Sequence, residues 1–229
     1  MRKWLIIPPI LFLIIIALSA MTKESYVGIP FGESDLYDKM TLLQSGNYLK
    51  DIVVLPEESY NHNDAIKVIN RLDHLPSSIL AAANKKRIKI ILFNGKLTDN
   101  PSAAYLKGKI PRGYPNNVTW DDVPGIGGSK FVLVKIGSSE KGMGHGSLNL
   151  EYHELAHTLY HFVFNDKQSE FNQIWADEAN HLFPHNPYFL NYEEEYFAEG
   201  FAYYFFSNDS RAIMEKQAPE TFHFFNSLH

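Results

Sequence analysis

The run Ser147-Leu148-Asn149-Leu150-Glu151-Tyr152-His153-Glu154-Leu155-Ala156-His157-Thr158-Leu159-Tyr160 carries two histidines four residues apart, with a glutamate directly after the first. Four residues make about one helical turn, so a helix here projects both imidazoles from one face. Two imidazoles at that spacing are suited to one Zn²⁺, and Glu154 beside them is a candidate general base. Ser147 is expected to cap the helix. Glu151 falls in its first turns, where the helix dipole favours negative charge. Leu148, Leu155, Leu159 and Phe162 are available to anchor the other side to a core. By itself the pattern also fits an amphipathic helix with surface histidines; the downstream sequence weighs against that.

The chain has 229 residues, 45% of them hydrophobic and 14% aromatic. Setting aside an N-terminal segment leaves about 200 residues, enough for one domain or a two-lobed one with a sizeable core. A formal net charge of -5 offers no electrostatic footprint for a nucleic-acid partner. The runs Lys85-Lys86-Arg87 and Glu193-Glu194-Glu195 are short and read as solvated faces. The chain has no cysteine, which excludes disulfides, thiolate catalysis and Cys-ligated zinc. Any metal must be held by His, Asp or Glu.

Residues 1–20 read as a signal peptide. Arg2 and Lys3 form a basic start, Leu5 to Ala17 is almost purely apolar, and Ala17-Leu18-Ser19-Ala20 offers small residues for cleavage. The apolar run is short for a membrane span and is interrupted by Pro8-Pro9. The expectation is a secreted protein whose residues 21–229 form one domain; a membrane is involved only if the segment stays uncleaved as an anchor.

Tyr26 to Ile29 reads as a strand or irregular arm, and 34–43 as a short helix. Asp51-Ile52-Val53-Val54-Leu55 and Ile88-Lys89-Ile90-Ile91-Leu92-Phe93 read as buried strands. Between them Ile66, Ile69 and Leu72 recur at helical spacing behind Asn63-Asp64, and Ser77-Ser78 opens a second helix. Strand, helix, strand predicts a right-handed crossover and a small mixed sheet. Residues 94–128 form a long ordered surface segment with a helix around 102–107, and loops of that length are usually functional. Phe131 to Ile136 is a further strand, and Gly142-Met143-Gly144-His145-Gly146 a turn into the motif helix. Helices are expected at 168–180, 193–206 and 220–228, with a loop at 181–192. The fold class is α+β: a small N-terminal mixed α/β lobe and a C-terminal helical lobe, with the motif helix at their junction.

Two histidines need a third protein ligand and an open position. The histidine that metzincins place six residues on is absent, since position 163 is Val163. His161, a further turn along, is displaced by about 6 Å along the axis, too far to share the site. His145, His181 and His185 are possible loop ligands. Glu199 is the better candidate: it sits in Tyr196-Phe197-Ala198-Glu199-Gly200-Phe201-Ala202-Tyr203-Tyr204-Phe205, where an unpaired carboxylate is costly. Glu195, one turn earlier, is placed to orient a ligand histidine from outside or to sit in solvent.

The pairing of His153-Glu154-Leu155-Ala156-His157 with Tyr192-Glu193-Glu194-Glu195-Tyr196-Phe197-Ala198-Glu199 resembles the catalytic domain of anthrax lethal factor. It is still more similar to the secreted Pro-Pro endopeptidases of Gram-positive bacteria. Leu106-Lys107-Gly108, Pro111-Arg112-Gly113-Tyr114, Thr119-Trp120-Asp121-Asp122-Val123-Pro124-Gly125, Gly127-Gly128-Ser129, Gly144-His145-Gly146, Phe201-Ala202-Tyr203-Tyr204 and Ala218-Pro219-Glu220-Thr221 follow that family's order. The resemblance implies a zincin-like metallopeptidase fold and a zinc endopeptidase that hydrolyses bonds between two prolines in bacterial surface or secreted proteins. Its partner would be a proline-containing protein or peptide. It implies His153, His157 and Glu199 as zinc ligands, Glu154 as general base and Tyr192, seven residues before the ligand glutamate, as oxyanion donor. Gly127, Gly128, Ser129 and Lys130 match a substrate-covering loop, and His161 a histidine near the substrate channel. Tyr114 stands where the family carries a tryptophan, a departure that bears on subsite preference. Trp120 reads equally as a wall of that channel or as a core aromatic. The rival readings are a lethal-factor-like protease with another sequence preference and a non-catalytic surface-binding domain that kept the fold.

Overall fold

A computed structural model describes residues 26–40, 43–114 and 117–228; the expected signal segment lies outside them. In chain order the elements are β1 (Ile29–Pro30), α1 (Asp35–Lys39), α2 (Gly46–Ile52), β2 (Val53–Leu55), α3 (His62–Asp73), α4 (Ser77–Lys85), β3 (Lys89–Phe93), β4 (Gly125–Ile126) and β5 (Phe131–Lys135). Helices follow: α5 (Leu150–Phe162), α6 (Gln168–Leu182), α7 (Pro187–Asn191), α8 (Glu193–Phe206), α9 (Asn208–Gln217) and α10 (Pro219–Asn226).

The strands form one sheet in the order β1-β2-β3-β5-β4. β2 and β3 pair in parallel across the α3–α4 connection, as do β3 and β5, while β1 and β4 run antiparallel at the two edges. Side chains alternate along a strand, and both faces of this sheet are covered. Val53, Leu55, Ile90, Leu92, Val132 and Val134 join the main core, whereas Val54, Ile91, Phe93 and Leu133 join a smaller cluster on the other face. That burial explains why the central strands read as unbroken apolar runs. The main core continues through α5, α6, α8 and α10, so the two expected lobes share one interior.

Several boundaries differ from expectation. Asp51 and Ile52 end α2 rather than start a strand, because Leu49 and Ile52 are buried at helical spacing. Asn61, not Asn63, caps α3, accepting from the Asp64 N–H at 3.2 Å. The helix expected around 102–107 is a single 3₁₀ turn, Ala104–Leu106. α6 runs to Leu182, and the 181–192 loop contains α7, which Pro187 opens and Asn186 caps by accepting from the Tyr188 N–H at 3.1 Å.

α5 lies between the sheet and the helical layer, against β4 and β5 on one side and α8 on the other. Its cap is Asn149, which accepts from the Tyr152 N–H at 3.0 Å. Ser147 instead bonds His145 Nδ1 at 2.7 Å. Arg71 of α3 ties the helix down: it pairs with the buried Glu151 at 2.8 Å and with Glu140 at 2.9 Å, and its carbonyl accepts from the Tyr152 hydroxyl at 2.5 Å. α5 is thus buried nearly all round, which overturns the alternative of a surface amphipathic helix.

Candidate active site

Helical spacing brings His153 and His157 together on α5, their Nε2 atoms 3.2 Å apart. Across from them stands Glu195, whose Oε2 lies 3.3 Å from each Nε2. Two ring nitrogens facing each other this closely cannot both carry protons, so the space between them and Glu195 suits a single positive charge, a proton or a metal ion. Donors at about 2.1 Å from one ion at tetrahedral angles sit about 3.4 Å apart; the three separations match that. The His153, His157 and Glu195 cluster is therefore compatible with a metal ion.

This corrects the assignment of the two glutamates. The resemblance implies Glu199 on the metal with Glu195 behind it; in the structure Glu195, and not Glu199, closes the cluster with the two histidines. Glu199 meets the far side of the His153 ring, Oε2 to Nδ1 at 3.0 Å, while its Oε1 accepts from the Leu148 N–H at 2.9 Å. A carboxylate among aromatic side chains needs partners, and those of Glu199 are an imidazole N–H and a backbone amide. Glu195 is buried, so the acidic run that read as a solvated face points one of its carboxylates inward.

Tyr192 moves with the correction. Seven residues before Glu195 stands Tyr188, whose hydroxyl donates to Glu195 Oε1 at 2.7 Å. Tyr192 lies outside the cleft, stacked beneath the Arg112 guanidinium at 3.7 Å. The seven-residue step from tyrosine to glutamate recurs here between Tyr188 and Glu195. Tyr188 is set by α7, which the Trp175 indole fastens to α6 by donating to the Phe189 carbonyl at 2.8 Å. Arg112 is a further site residue without a local sequence signature of its role. It bridges Glu194 at 2.8 Å and Glu195 at 3.1 Å, so Glu195 Oε1 receives two donors and Oε2 is left toward the histidines. The one sequence signal for Arg112 was its place in Pro111-Arg112-Gly113-Tyr114.

The electrostatics follow from burial and this pairing. Burial opposes charge on His153, but hydrogen bonds to Glu195 and Glu199 and the charge of Glu154 prevail, and its pKa is pushed up to about 10. Burial also disfavours charge on Glu195, yet the two histidines hold its carboxyl far below the usual range. The cluster therefore stabilises one positive charge among its ligand atoms. Burial pushes Glu154 up, opposed by His153, His157 and a hydrogen bond from the Gly127 N–H. β4 and the residue after it pack directly on this glutamate: a Cβ on Gly125 would lie 2.9 Å from Glu154 Cγ, and one on Gly127 2.0 Å from the Glu154 carbonyl oxygen.

The cluster opens into a cleft of about 810 Å³. Tyr114, Trp120, Gly127, Gly128 and His161 line it, as do Glu154 and Tyr188. Trp120 also packs against the smaller core cluster. Tyr114 reaches across the mouth, its hydroxyl 3.5 Å from the Gly144 carbonyl. Burial and then the charges of Glu154 and Glu195 raise its pKa. Ser129 and Lys130 do not line the cleft: the Ser129 hydroxyl donates to the Phe131 carbonyl at 2.9 Å and the Lys130 ammonium lies over Phe162 at 5.8 Å. His145 lines it, but its ring spans Ser147 and the Ser138 carbonyl. Among the described residues His145, His181 and His185 stay out of the cluster.

The family model for anthrax toxin lethal factor, N- and C-terminal domain, matches residues 40–228. The Pro-Pro endopeptidase of Clostridioides difficile (strain 630) is 43% identical over 194 residues, 83% of this chain and 87% of that protein. The Pro-Pro endopeptidase of Paenibacillus alvei is 42% identical over 188 residues, 81% and 86% of the two chains. The chain belongs to the family of anthrax lethal factor and the Pro-Pro endopeptidases. A solved structure within this family, the Pro-Pro endopeptidase PPEP-2 from Paenibacillus alvei, superposes with a TM-score of 0.73 at 39% identity, covering 85% of this chain and 100% of the other. The mixed fold with its small sheet is that of the family, and family membership makes the chain an enzyme of the peptidase class.

Proposed function

We propose that the chain is a secreted zinc endopeptidase that cuts between two prolines in proline-containing proteins or peptides. The observation that carries this is the convergence of His153 Nε2, His157 Nε2 and Glu195 Oε2 within 3.2–3.3 Å of one another beside Glu154, in a chain 42–43% identical to two Pro-Pro endopeptidases.

Those three atoms would hold the zinc. The chemistry zinc supplies when bound is acidification of a water molecule and polarisation of the scissile carbonyl. The residues of the chain do the rest. Glu154, with its proton affinity raised by burial, takes the proton of the attacking water and delivers it to the leaving proline nitrogen. The phenol of Tyr188 is held protonated by burial and the nearby charge of Glu195, which keeps it a donor for the developing oxyanion. Arg112 also donates to the outer oxygen of Glu195, so that oxygen keeps a partner when the single Tyr188 O–H turns from Glu195 to the oxyanion.

The preference for proline follows from shape. Proline has no backbone N–H and a fixed φ, so a Pro-Pro segment cannot pair fully with the edge strand β4. It must be recognised by walls, and Tyr114, Trp120 and His161 supply flat ones. Secretion is supported by Arg2 and Lys3, the apolar run from Leu5 to Ala17 and the small residues that follow. Among the described residues, no helix is long and apolar enough to cross a membrane.

The test is a peptide library with a fixed central Pro-Pro against one without it, each incubated with the protein with and without a zinc chelator and read by mass spectrometry. Chelator-sensitive cleavage between the prolines is expected. Cleavage confined to the control library would overturn the specificity, and chelator-resistant cleavage the metal chemistry. N-terminal sequencing of protein from the culture medium, expected to begin near residue 20 or 21, tests secretion.

A further inference from the structure

The tip of the β4–β5 hairpin is a weak piece of structure by its composition. β4 pairs with β5 only through Gly125↔Val134 and Ile126↔Leu133. Beyond Ile126 the chain turns through Gly127-Gly128-Ser129-Lys130, with Gly128 at φ +81°. Two glycines in a row leave much conformational freedom to be lost on ordering. Yet Gly127 and Gly128 line the cleft, where a defined surface is needed.

Thr158 offsets this. It directly follows His157, is 0% exposed, and stands one turn beyond Glu154 on the same side of α5. A helical threonine ordinarily turns its hydroxyl back to its own helix, to the carbonyl three or four residues earlier. Here the hydroxyl leaves the helix: it donates to the Ser129 carbonyl at 2.8 Å and accepts from the Gly128 N–H at 3.1 Å. Both bonds go to consecutive residues of the tip. Gly128 is thereby held close to His161, whose Cδ2 would lie 3.7 Å from a Cβ added there.

We propose that Thr158 is a positioning residue that clamps the hairpin tip onto the active-site helix and thereby sets how tightly a peptide is held in the cleft. The proposal rests on the endopeptidase reading and adds a determinant of substrate affinity to it. The clamp orders the tip before a peptide arrives, so the ordering entropy is not charged against binding. Thr158 is not among the residues lining the cleft. Its loss should therefore raise KM and leave kcat nearly unchanged.

The experiment compares wild type, Thr158→Val and Thr158→Ser in the full chain. Valine keeps the shape and removes both bonds, while the exposed Ser129 lets water take over the freed groups; serine keeps the hydroxyl. Hydrogen–deuterium exchange followed by mass spectrometry should show the segment 126–131 exchanging about tenfold faster in the valine variant and near wild type in the serine variant. With whichever peptide the wild type cuts, KM should rise about tenfold in the valine variant, kcat staying within about twofold, and serine should restore KM. Unchanged exchange in the valine variant overturns the clamp. Faster exchange with unchanged KM overturns its role in binding, and so does a loss of kcat that serine does not restore. A wild type that cuts no peptide sinks the endopeptidase reading and this role with it, while exchange still decides the clamp.

Discussion

The His153 ring hands its Nδ1–H to Glu199 at 3.0 Å, and this bond fixes which ring nitrogen is left for a metal. With Nδ1 occupied, Nε2 turns to His157 and Glu195. A ligand histidine held by a carboxylate on its other nitrogen gains basicity and a fixed orientation, and losing that partner typically weakens metal affinity about 10–100-fold. Glu199→Gln should therefore bind zinc about 10–100-fold more weakly by chelator competition while still binding one ion. Glu195→Ala should bind no zinc under the same conditions. Equal affinities in the two variants would contradict the reversed assignment.

Tyr188 and Tyr192 are separated by a simpler experiment. Tyr188→Phe removes a hydroxyl inside the cleft, and loss of one oxyanion donor typically costs about 10²–10³ in kcat. Tyr192→Phe keeps the ring under Arg112 and should leave kcat within about threefold. Peptide kinetics on both variants decide the matter, and a large kcat loss confined to Tyr192→Phe would restore the original expectation.

Gly127 allows β4 to touch the active-site helix. An added methyl would sit 2.0 Å from the Glu154 carbonyl oxygen, a backbone atom that cannot step aside. Gly127→Ala should lose at least about tenfold in kcat as the strand or Glu154 moves, and about 1–3 kcal/mol of stability from overpacking. Denaturant titration and peptide kinetics are the measurements; a wild-type result in both would mean that the strand moves freely.

The loop that leads into the cleft depends on Asp121. Hydrogen bonds from Thr98 at 2.6 Å and from the Gly108 N–H at 2.8 Å hold its carboxyl down at about 2. A carboxyl depressed in the folded state stabilises it at pH values above the unfolded pKa of about 3.9, and that contribution is lost as pH falls toward 2. Wild type should thus lose more thermal stability between pH 5 and pH 3 than Asp121→Asn. Parallel losses in the two proteins would show that Asp121 contributes no acid-side slope.

Glu154→Gln keeps the ligand set and removes the base. It should bind zinc as wild type does and lose at least about 10²-fold in turnover. Loss of metal together with activity would assign Glu154 a structural part instead.

Much of this was legible in the chain itself because it is local. The four-residue spacing of His153 and His157 puts both rings on one helical face, and the unbroken apolar runs at 90–93 and 131–134 announce strands buried on both faces. The seven-residue step from a tyrosine to a glutamate came from the family resemblance, which attaches it to Tyr192 and Glu199. Tertiary structure decided which glutamate and which tyrosine. Glu195 and Glu199 are one turn apart on α8, and helical periodicity treats them alike. The difference is how α8 is rotated and shifted against α5. That is set by ring packing between elements far apart in sequence: Phe197 against Tyr160 at 4.4 Å, Phe197 against Phe171 at 5.0 Å and Phe197 against Phe225 at 5.3 Å. Hydrogen bonds that cross elements, from Thr158 to the hairpin tip and from Arg112 to Glu195, are invisible to any local pattern for the same reason: they exist only once the core has fixed how helix, hairpin and loop lie against one another.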